Sequence, residues 1–386
     1  MQFRDLPKQY EVLKPQINEA IMQVVESAKF ISGPQVKELE KKLADYVGVK
    51  HCITCANGTD AITIAMRAWG IGKGDAVFIP DFTFFSSGEC PADEGATPVF
   101  IDIDPNTFNI DPAKLEDAIC RVVSEGKYKA RAVVAVDLFG QPADYIAIRP
   151  ICEKYGLLLL EDAAQGFGGN INGKMACSFG DIATTSFFPA KPLGCYGDGG
   201  AIFTDNDEWA DIIRSLCVHG KDTGNPNDPN AKYNNVRIGK NSRLDTIQAA
   251  ILLPKFKAFV DYELDDINKV ANWYEEGLKD TKLALPVIKE GFYSSWAQYT
   301  VKLPESVDRN SIQVKLKEAG IPSMVYYAKP MHCQDAFYDT DSSVADCPVT
   351  ERLCSTVLSL PIDPYKTKDD IDMVVFELNK ALADYE

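Results

Sequence analysis

The sequence predicts an α/β protein: a mostly parallel sheet covered by helices on both faces, followed by a smaller α+β region. Three observations predict it. Continuous apolar runs of strand length, such as Val133-Val134-Ala135-Val136 and Leu157-Leu158-Leu159-Leu160, alternate with stretches of helical periodicity. The runs ending at Ala56 and Leu160 pass directly into small and acidic residues, as strand-to-helix connections do. At 386 residues and 46% hydrophobic content, the chain can bury two cores, and the pattern divides it into a large domain over 1–255 and a small domain over 256–386.

Residues 11–30 carry Val12, Ile17, Ala20, Ile21, Val24 and Val25 at helical spacing, and Ser32-Gly33-Pro34 ends that helix. A second helix runs through Val36, Leu39, Leu43 and Tyr46. The strand-like Cys52-Ile53-Thr54-Cys55-Ala56 then leads through Asn57-Gly58-Thr59-Asp60 into an apolar helix from Ala61. Gly58 permits a tight turn, and Thr59 and Asp60 suit a helix start. This turn is either a plain cap or a seat for a phosphate, because free N–H groups and the helix dipole point out of it. Further strands are read at 76–80, 98–102 and 132–136; Asp111-Pro112 opens a helix, and another covers 143–155. The strand at 157–160 runs into Glu161-Asp162-Ala163-Ala164-Gln165. Ligands of such sheets bind beyond the carboxyl ends of the strands, so Asp162 is either a cap or a site residue. Residues 221–235 form a Gly/Pro/Asn/Asp loop, a flap near the site or a surface insertion. Asn241-Ser242-Arg243-Leu244-Asp245-Thr246 opens an apolar helix, and a long helix with Phe256, Phe259, Leu264, Ile267, Val270 and Trp273 leads into the second domain. There, strands are read at 296–301 and 325–327, and helices near 311–319 and 368–383.

Charge and cysteine content exclude several classes. A net charge of −16 disfavours nucleic acid and anionic membrane, and requires local groups to hold any anionic ligand. Met1-Gln2-Phe3-Arg4-Asp5 opens a polar, helix-like region rather than a leader, and no apolar run approaches bilayer length. Eleven scattered cysteines suit a reducing cytoplasm. Cys52 and Cys55 form a C-x-x-C with no second pair at zinc spacing, so no metal is expected.

The stretch Ser186-Phe187-Phe188-Pro189-Ala190-Lys191-Pro192-Leu193-Gly194 presents one lysine on a stiff turn. Pro192 has no N–H to donate and restricts the residue before it. A fixed amine suits Schiff-base chemistry, whose lysine needs a lowered pKa, although an isolated loop lysine is commonly a surface residue.

Four motifs taken together resemble the DegT/DnrJ-type nucleotide-sugar aminotransferases, pyridoxal 5'-phosphate enzymes of the aspartate aminotransferase fold (fold type I). They are Asn57-Gly58-Thr59-Asp60-Ala61, Pro80-Asp81-Phe82-Thr83-Phe84, Glu161-Asp162-Ala163-Ala164-Gln165 and Ser186-Phe187-Phe188-Pro189-Ala190-Lys191. The resemblance runs from Asp5-Leu6 to Ser359-Leu360-Pro361. It implies that Lys191 forms an imine with the cofactor and moves protons, and that Asp162 pairs with the pyridinium nitrogen. It further implies that Gln165 bonds the phenolic oxygen, that Phe84 stacks on the ring, and that Gly58, Thr59 and Ser186 hold the phosphate. Asn241 matches a position that reaches the phosphate of the neighbouring subunit, implying a homodimer with shared sites. Within the family, Thr185 to Thr204 and Asn241 to Thr246 are most similar to enzymes that aminate UDP-2-acetamido-2-deoxy-3-oxo-glucuronate with glutamate as donor. Such enzymes serve surface-polysaccharide precursors such as O-antigen. A uronate carboxylate calls for a fixed arginine, and Arg243 is the candidate. Tyr326, Tyr327 and His332 are candidates for the sugar pocket, with His332 alternatively packing at the domain seam. The chain departs from those enzymes at Tyr326, where they carry histidine, and in the extended 221–235 loop. Related 4-oxo-6-deoxy sugar aminotransferases are the alternative. Lys191 argues against the related dehydratases, which carry histidine there, and no expected position is degraded as in a regulator that only keeps the fold.

Overall fold

A computed structural model describes residues 1–222 and 234–385. Its centre is a seven-stranded sheet built from β1 (His51–Cys55), β2 (Asp75–Pro80), β3 (Thr97–Ile101), β4 (Lys129–Val136), β5 (Leu158–Asp162), β8 (Ile182–Ser186) and β9 (Gly200–Thr204). Between β5 and β8 lie two short strands, β6 (Asn170–Ile171) and β7 (Lys174–Met175). The order across the sheet is β1-β9-β8-β5-β4-β2-β3. All neighbours from β3 to β8 are parallel, while β9 runs antiparallel to both β8 and β1.

The strands alternate faces, and both faces are buried. Val77 and Ile79 of β2 join Val134 and Val136 of β4 in one core, and Ala76 and Phe78 join Val133 and Ala135 in the opposite one. This period of two inside continuous apolar runs is what a doubly covered sheet requires. Helix α3 (Gly58–Ala68) and α7 (Asp207–Cys217) cover the first face. Helices α5 (Pro112–Glu125) and α6 (Tyr145–Tyr155) cover the second, which continues under α2 (Pro34–Val47) and α8 (Thr246–Ala258). Helix α1 (Leu6–Ser27) packs its Leu13 and Ile17 against Ile251 of α8. The Asp111 carboxylate accepts the Ala113 and Lys114 N–H groups, as its place before Pro112 predicts.

The chain then continues through a π-helical turn, Phe259–Glu263, into α9 (Leu264–Leu278). With α10 (Arg309–Glu318) and α12 (Lys368–Leu382), α9 encloses a further core beside the pair β11 (Tyr299–Lys302) and β12 (Val357–Leu360). Tyr274 stacks on Tyr299 at 4.7 Å there and donates its hydroxyl to the Pro361 carbonyl at 2.7 Å. Helices α4 (Ser86–Asp93) and α11 (Pro348–Thr356), and strand β10 (Phe292–Tyr293), complete the regular elements discussed here. No helix among the described residues is long and apolar enough to cross a membrane.

Two expectations are corrected. Residues 325–327 are not a strand: Met324 bridges Ser359, and the chain then turns at Tyr326 and Tyr327. Apolar content alone suggested pairing, but among the described residues no further partner strand lies beside them. Asn241 does not open a helix either; it bridges Val218 in extended conformation, and α8 begins at Thr246. The 221–235 loop falls largely outside the described residues.

Candidate active site

The carboxyl ends of β2, β4, β5 and β8 lie along one edge of the sheet, and a cavity of about 960 Å³ opens beyond them. Val136, Asp162 and Ser186, the last residues of β4, β5 and β8, all line it. Gly58 and Thr59, Thr83, Phe84 and Ser86, and Tyr326, Tyr327 and Met331 line it as well.

Asp162 is buried at 4% exposure, with Oδ2 accepting the Ser87 hydroxyl at 2.9 Å and Oδ1 the Ala164 N–H at 3.2 Å. Burial pushes its carboxyl upward, and Ser87, Ala164 and the charge of Lys191 pull it back. Lys191 sits on the expected turn, its N–H donating to the Phe188 carbonyl at 2.8 Å. Gly194 closes that turn so tightly that a Cβ there would lie 2.4 Å from the Pro189 carbonyl oxygen. Burial lowers the Lys191 ammonium; Asp162 opposes this and the Arg4 guanidinium adds to it. An amine with a lowered pKa is a better nucleophile near neutrality.

Gln165 is held at both ends. Its Oε1 accepts the Phe139 N–H at 2.9 Å, and its Nε2 donates to the Tyr327 hydroxyl at 3.0 Å. This bond joins the sheet edge to the Tyr327 segment, and burial raises the Tyr327 phenol. Phe84 lines the cavity while 55% exposed, leaving its ring face free to cover a ligand. At the end of α3 the cap residue Asn57 accepts the Asp60 N–H at 2.7 Å with its side chain. The Gly58 and Thr59 N–H groups have no partner among the described residues. Together with the Thr59, Ser86 and Ser186 hydroxyls they form a cluster of donors around a helix N-terminus, which favours an anion. Gly58 matters here because a Cβ would fall 2.8 Å from that of Ser186.

Three candidates lie apart from this cavity within the chain. Asn241 and Arg243 do not line it; Arg243 Nη2 donates to Asn241 Oδ1 at 2.6 Å. His332 is also absent from the lining, at 8% exposure, with Nδ1 turned to Asp81 Oδ2 at 2.7 Å. Sequence reasoning missed Ser87, Ser86, Lys329 and Gln334. Only Ser86 and Ser87 carried a signal, as small polar residues one turn beyond the Pro80 to Phe84 motif. Cys52 and Cys55 are both buried in β1, and burial drives both thiols well up, as in a packed strand rather than a redox pair.

The model of the DegT/DnrJ/EryC1/StrS aminotransferase family matches residues 11–379. The chain belongs to this family. Like its relatives, this DegT/DnrJ/EryC1/StrS member is an aminotransferase of the fold type I architecture. It is 44% identical over 374 residues to the UDP-2-acetamido-2-deoxy-3-oxo-D-glucuronate aminotransferase of Pseudomonas aeruginosa, covering 97% of this chain and 98% of that one. It is 42% identical over 375 residues, 96% and 95% of the two chains, to a protein of Geobacillus stearothermophilus named pleiotropic regulatory protein. Among solved structures, a DegT DnrJ EryC1 StrS aminotransferase from Brucella abortus superposes with a TM-score of 0.93 at 44% identity, covering 98% of this chain and 99% of that one. The Bacillus subtilis protein NtdA, solved with bound cofactor PMP, superposes with a TM-score of 0.84 at 31% identity, covering 96% and 82%.

Proposed function

We propose that this aminotransferase uses pyridoxal 5'-phosphate to move an amino group from glutamate to a keto sugar nucleotide. The acceptor is the 3-oxo group of UDP-2-acetamido-2-deoxy-3-oxo-glucuronate, in the synthesis of a surface-polysaccharide precursor in the cytoplasm. The observation that carries this reading is one cavity holding a lysine amine, a buried carboxylate at a strand end and an unpartnered helix N-terminus. The 44% identity to the Pseudomonas aeruginosa enzyme narrows the acceptor.

The residues present fit the cofactor. Gly58 and Thr59 N–H groups with the Thr59 and Ser186 hydroxyls would hold its phosphate, Asp162 its pyridine nitrogen, Gln165 its phenolic oxygen and Lys191 its aldehyde carbon. When bound, pyridoxal phosphate supplies the electron sink for the carbanion of the amino acid or amino sugar. Asp162, whose carboxyl is pulled back by the Ser87 and Ala164 hydrogen bonds, would hold a proton on the ring nitrogen. Lys191 Nζ, stationed on its rigid turn, moves a proton to and from the reacting carbon. Phe84 would cover one face of the ring and exclude water. Tyr326 and Tyr327 form the sugar side.

The reading includes a homodimer with shared sites. Asn241 and Arg243 stand outside the cavity of their own chain, with Asn241 exposed, and serve the partner subunit's phosphate and substrate carboxylate. It also divides the chain into a cofactor domain over 1–255 and a small domain over 256–386. The test is spectroscopic. Glutamate alone should convert the bound cofactor from its lysine-linked to its amine absorbance, and the 3-oxo-uronate should reverse the change. Absence of the first conversion sinks the aminotransferase chemistry. Reversal only by a 4-oxo-6-deoxy sugar nucleotide replaces the acceptor.

A further inference from the structure

We infer that Asp81 and His332 form a positioning pair that fixes the substrate-side wall of the cavity, and that His332 acts through Asp81 rather than on the sugar. The inference rests on the aminotransferase reading above and concerns residues outside the cavity lining.

Asp81 follows β2 immediately and has no exposure. Its N–H donates to the Ile101 carbonyl at 2.8 Å, locking it to β3. Every other polar atom of Asp81 holds the 331–332 segment. Its carbonyl accepts the Met331 N–H at 3.0 Å, Oδ1 accepts the His332 N–H at 2.8 Å, and Oδ2 faces His332 Nδ1 at 2.7 Å. A carboxylate can only accept, so the proton of that last bond sits on Nδ1. The two stretches joined in this way both line the cavity. Thr83 to Ser86 continue from Asp81, and Tyr326, Tyr327 and Met331 adjoin His332. Other contacts between the two stretches are softer: the Phe82 and Tyr327 rings at 6.0 Å, and Gly88, where a Cβ would lie 2.8 Å from the Met331 methyl. The segment is otherwise short of regular structure, with only the Met324 bridge before it. Three buried hydrogen bonds converging on one residue are the stiffest connection such a loop has to β2.

The other ring nitrogen of His332, which does not line the cavity, has neighbours of its own. Nε2 lies 3.2 Å from Cys333 Sγ and 3.5 Å from Glu351 Oε1. Asp81, His332 and Cys347 also bring metal-ligand atoms within 4.8 Å of one another. A cation there would have to displace the His332 Nδ1 proton from Asp81, while both carboxylate oxygens already accept well-placed donors. The hydrogen-bonded arrangement therefore accounts for the cluster.

Asparagine and glutamine at position 332 separate the two roles. Asparagine keeps a donor near Nδ1, and glutamine moves it toward Nε2. With the holoenzyme, His332→Asn should keep the KM for the sugar nucleotide near wild type. His332→Gln, His332→Leu and Asp81→Asn should raise it on the order of tenfold or more, the scale of a lost charged hydrogen bond. Cofactor conversion by glutamate should stay within a few fold in all four, because Lys191 and Asp162 are untouched. Amide exchange across 325–334, read without any substrate, should accelerate in His332→Leu and Asp81→Asn and not in His332→Asn. This second measurement stands even if the acceptor sugar proves to be another. A wild-type KM in His332→Gln with a raised one in His332→Asn would overturn the inference, placing His332 Nε2 on the substrate. Unchanged exchange in Asp81→Asn would overturn it too. So would stoichiometric zinc retained by wild type and lost in Cys347→Ser.

Discussion

Gly58→Ala separates two physical effects of opposite sign. Alanine is the better helix former, and at an unconstrained helical position the exchange gains up to about 1 kcal/mol. Here the new Cβ would fall 2.8 Å from Ser186 Cβ and 3.3 Å from its Oγ. Carbon pairs rest at about 3.5–4.0 Å, so the end of α3 would have to retreat by roughly 0.7 Å. The turn is packed closely on both strands of this pair: a Cβ on Gly200, the partner of Ser186, would lie 2.6 Å from the Asn57 carbonyl carbon, so the whole turn must shift. We therefore expect a net loss of about 1–3 kcal/mol, the usual cost of overpacking. Urea denaturation of the apoprotein measures it. Cofactor retention after dialysis, followed by absorbance, should fall as well, because the displaced N–H groups are those proposed to hold the phosphate. Adding Ser186→Gly should return most of the stability by removing the opposing Cβ, whereas Ser186→Ala should return none. A Gly58→Ala protein as stable as wild type would refute the reasoning. So would equal rescue by the glycine and alanine partners.

Borohydride reduction and peptide mapping should place the pyridoxyl label on Lys191, and Lys191→Ala should bind the cofactor without turnover; label on another lysine rejects the assignment. Mixing Lys191→Ala with Asn241→Ala subunits should restore part of the activity, since one site of each hybrid is intact. No recovery despite proven subunit exchange counts against shared sites. Arg243→Met should lower kcat/KM for the 3-oxo-uronate about tenfold to a hundredfold, as expected for a charged hydrogen bond of roughly 1.5–3 kcal/mol. It should cost a 4-oxo-6-deoxy sugar nucleotide much less, and equal loss on both makes Arg243 structural.

The parallel strands were legible because burial on both faces writes continuous apolar runs. The 157–160 run is β5, and the 132–136 run is the buried half of β4. The antiparallel insertion of β9 was not, because Gly200-Ala201-Ile202-Phe203-Thr204 has the same composition whichever way it pairs. Helix α4 escaped notice since Gly88 and Pro91 break its periodicity. In the cavity, Asp162 and the 57–60 turn stood out at strand ends as open alternatives, and the remaining motif residues were found through the resemblance of the four motifs to the family. Ser87 could not, for a serine bonded to Asp162 leaves no periodic or compositional mark. The 325–334 wall is likewise set by Asp81, a residue some 250 positions away.

That separation along the chain gives the protein an order of synthesis. The central sheet is complete once β9 has emerged, and by then Gly58, Asp162, Ser186 and Lys191 have all left the ribosome. Tyr326, Tyr327 and Met331 come later, and β12, which pairs with β11 beside a separate core, later still. On the proposed reading, a nascent chain folding from its N-terminus offers the residues assigned to the cofactor as an open shelf before the residues assigned to the sugar have been made. Cofactor loading would then not wait for termination, whereas acceptor selectivity would.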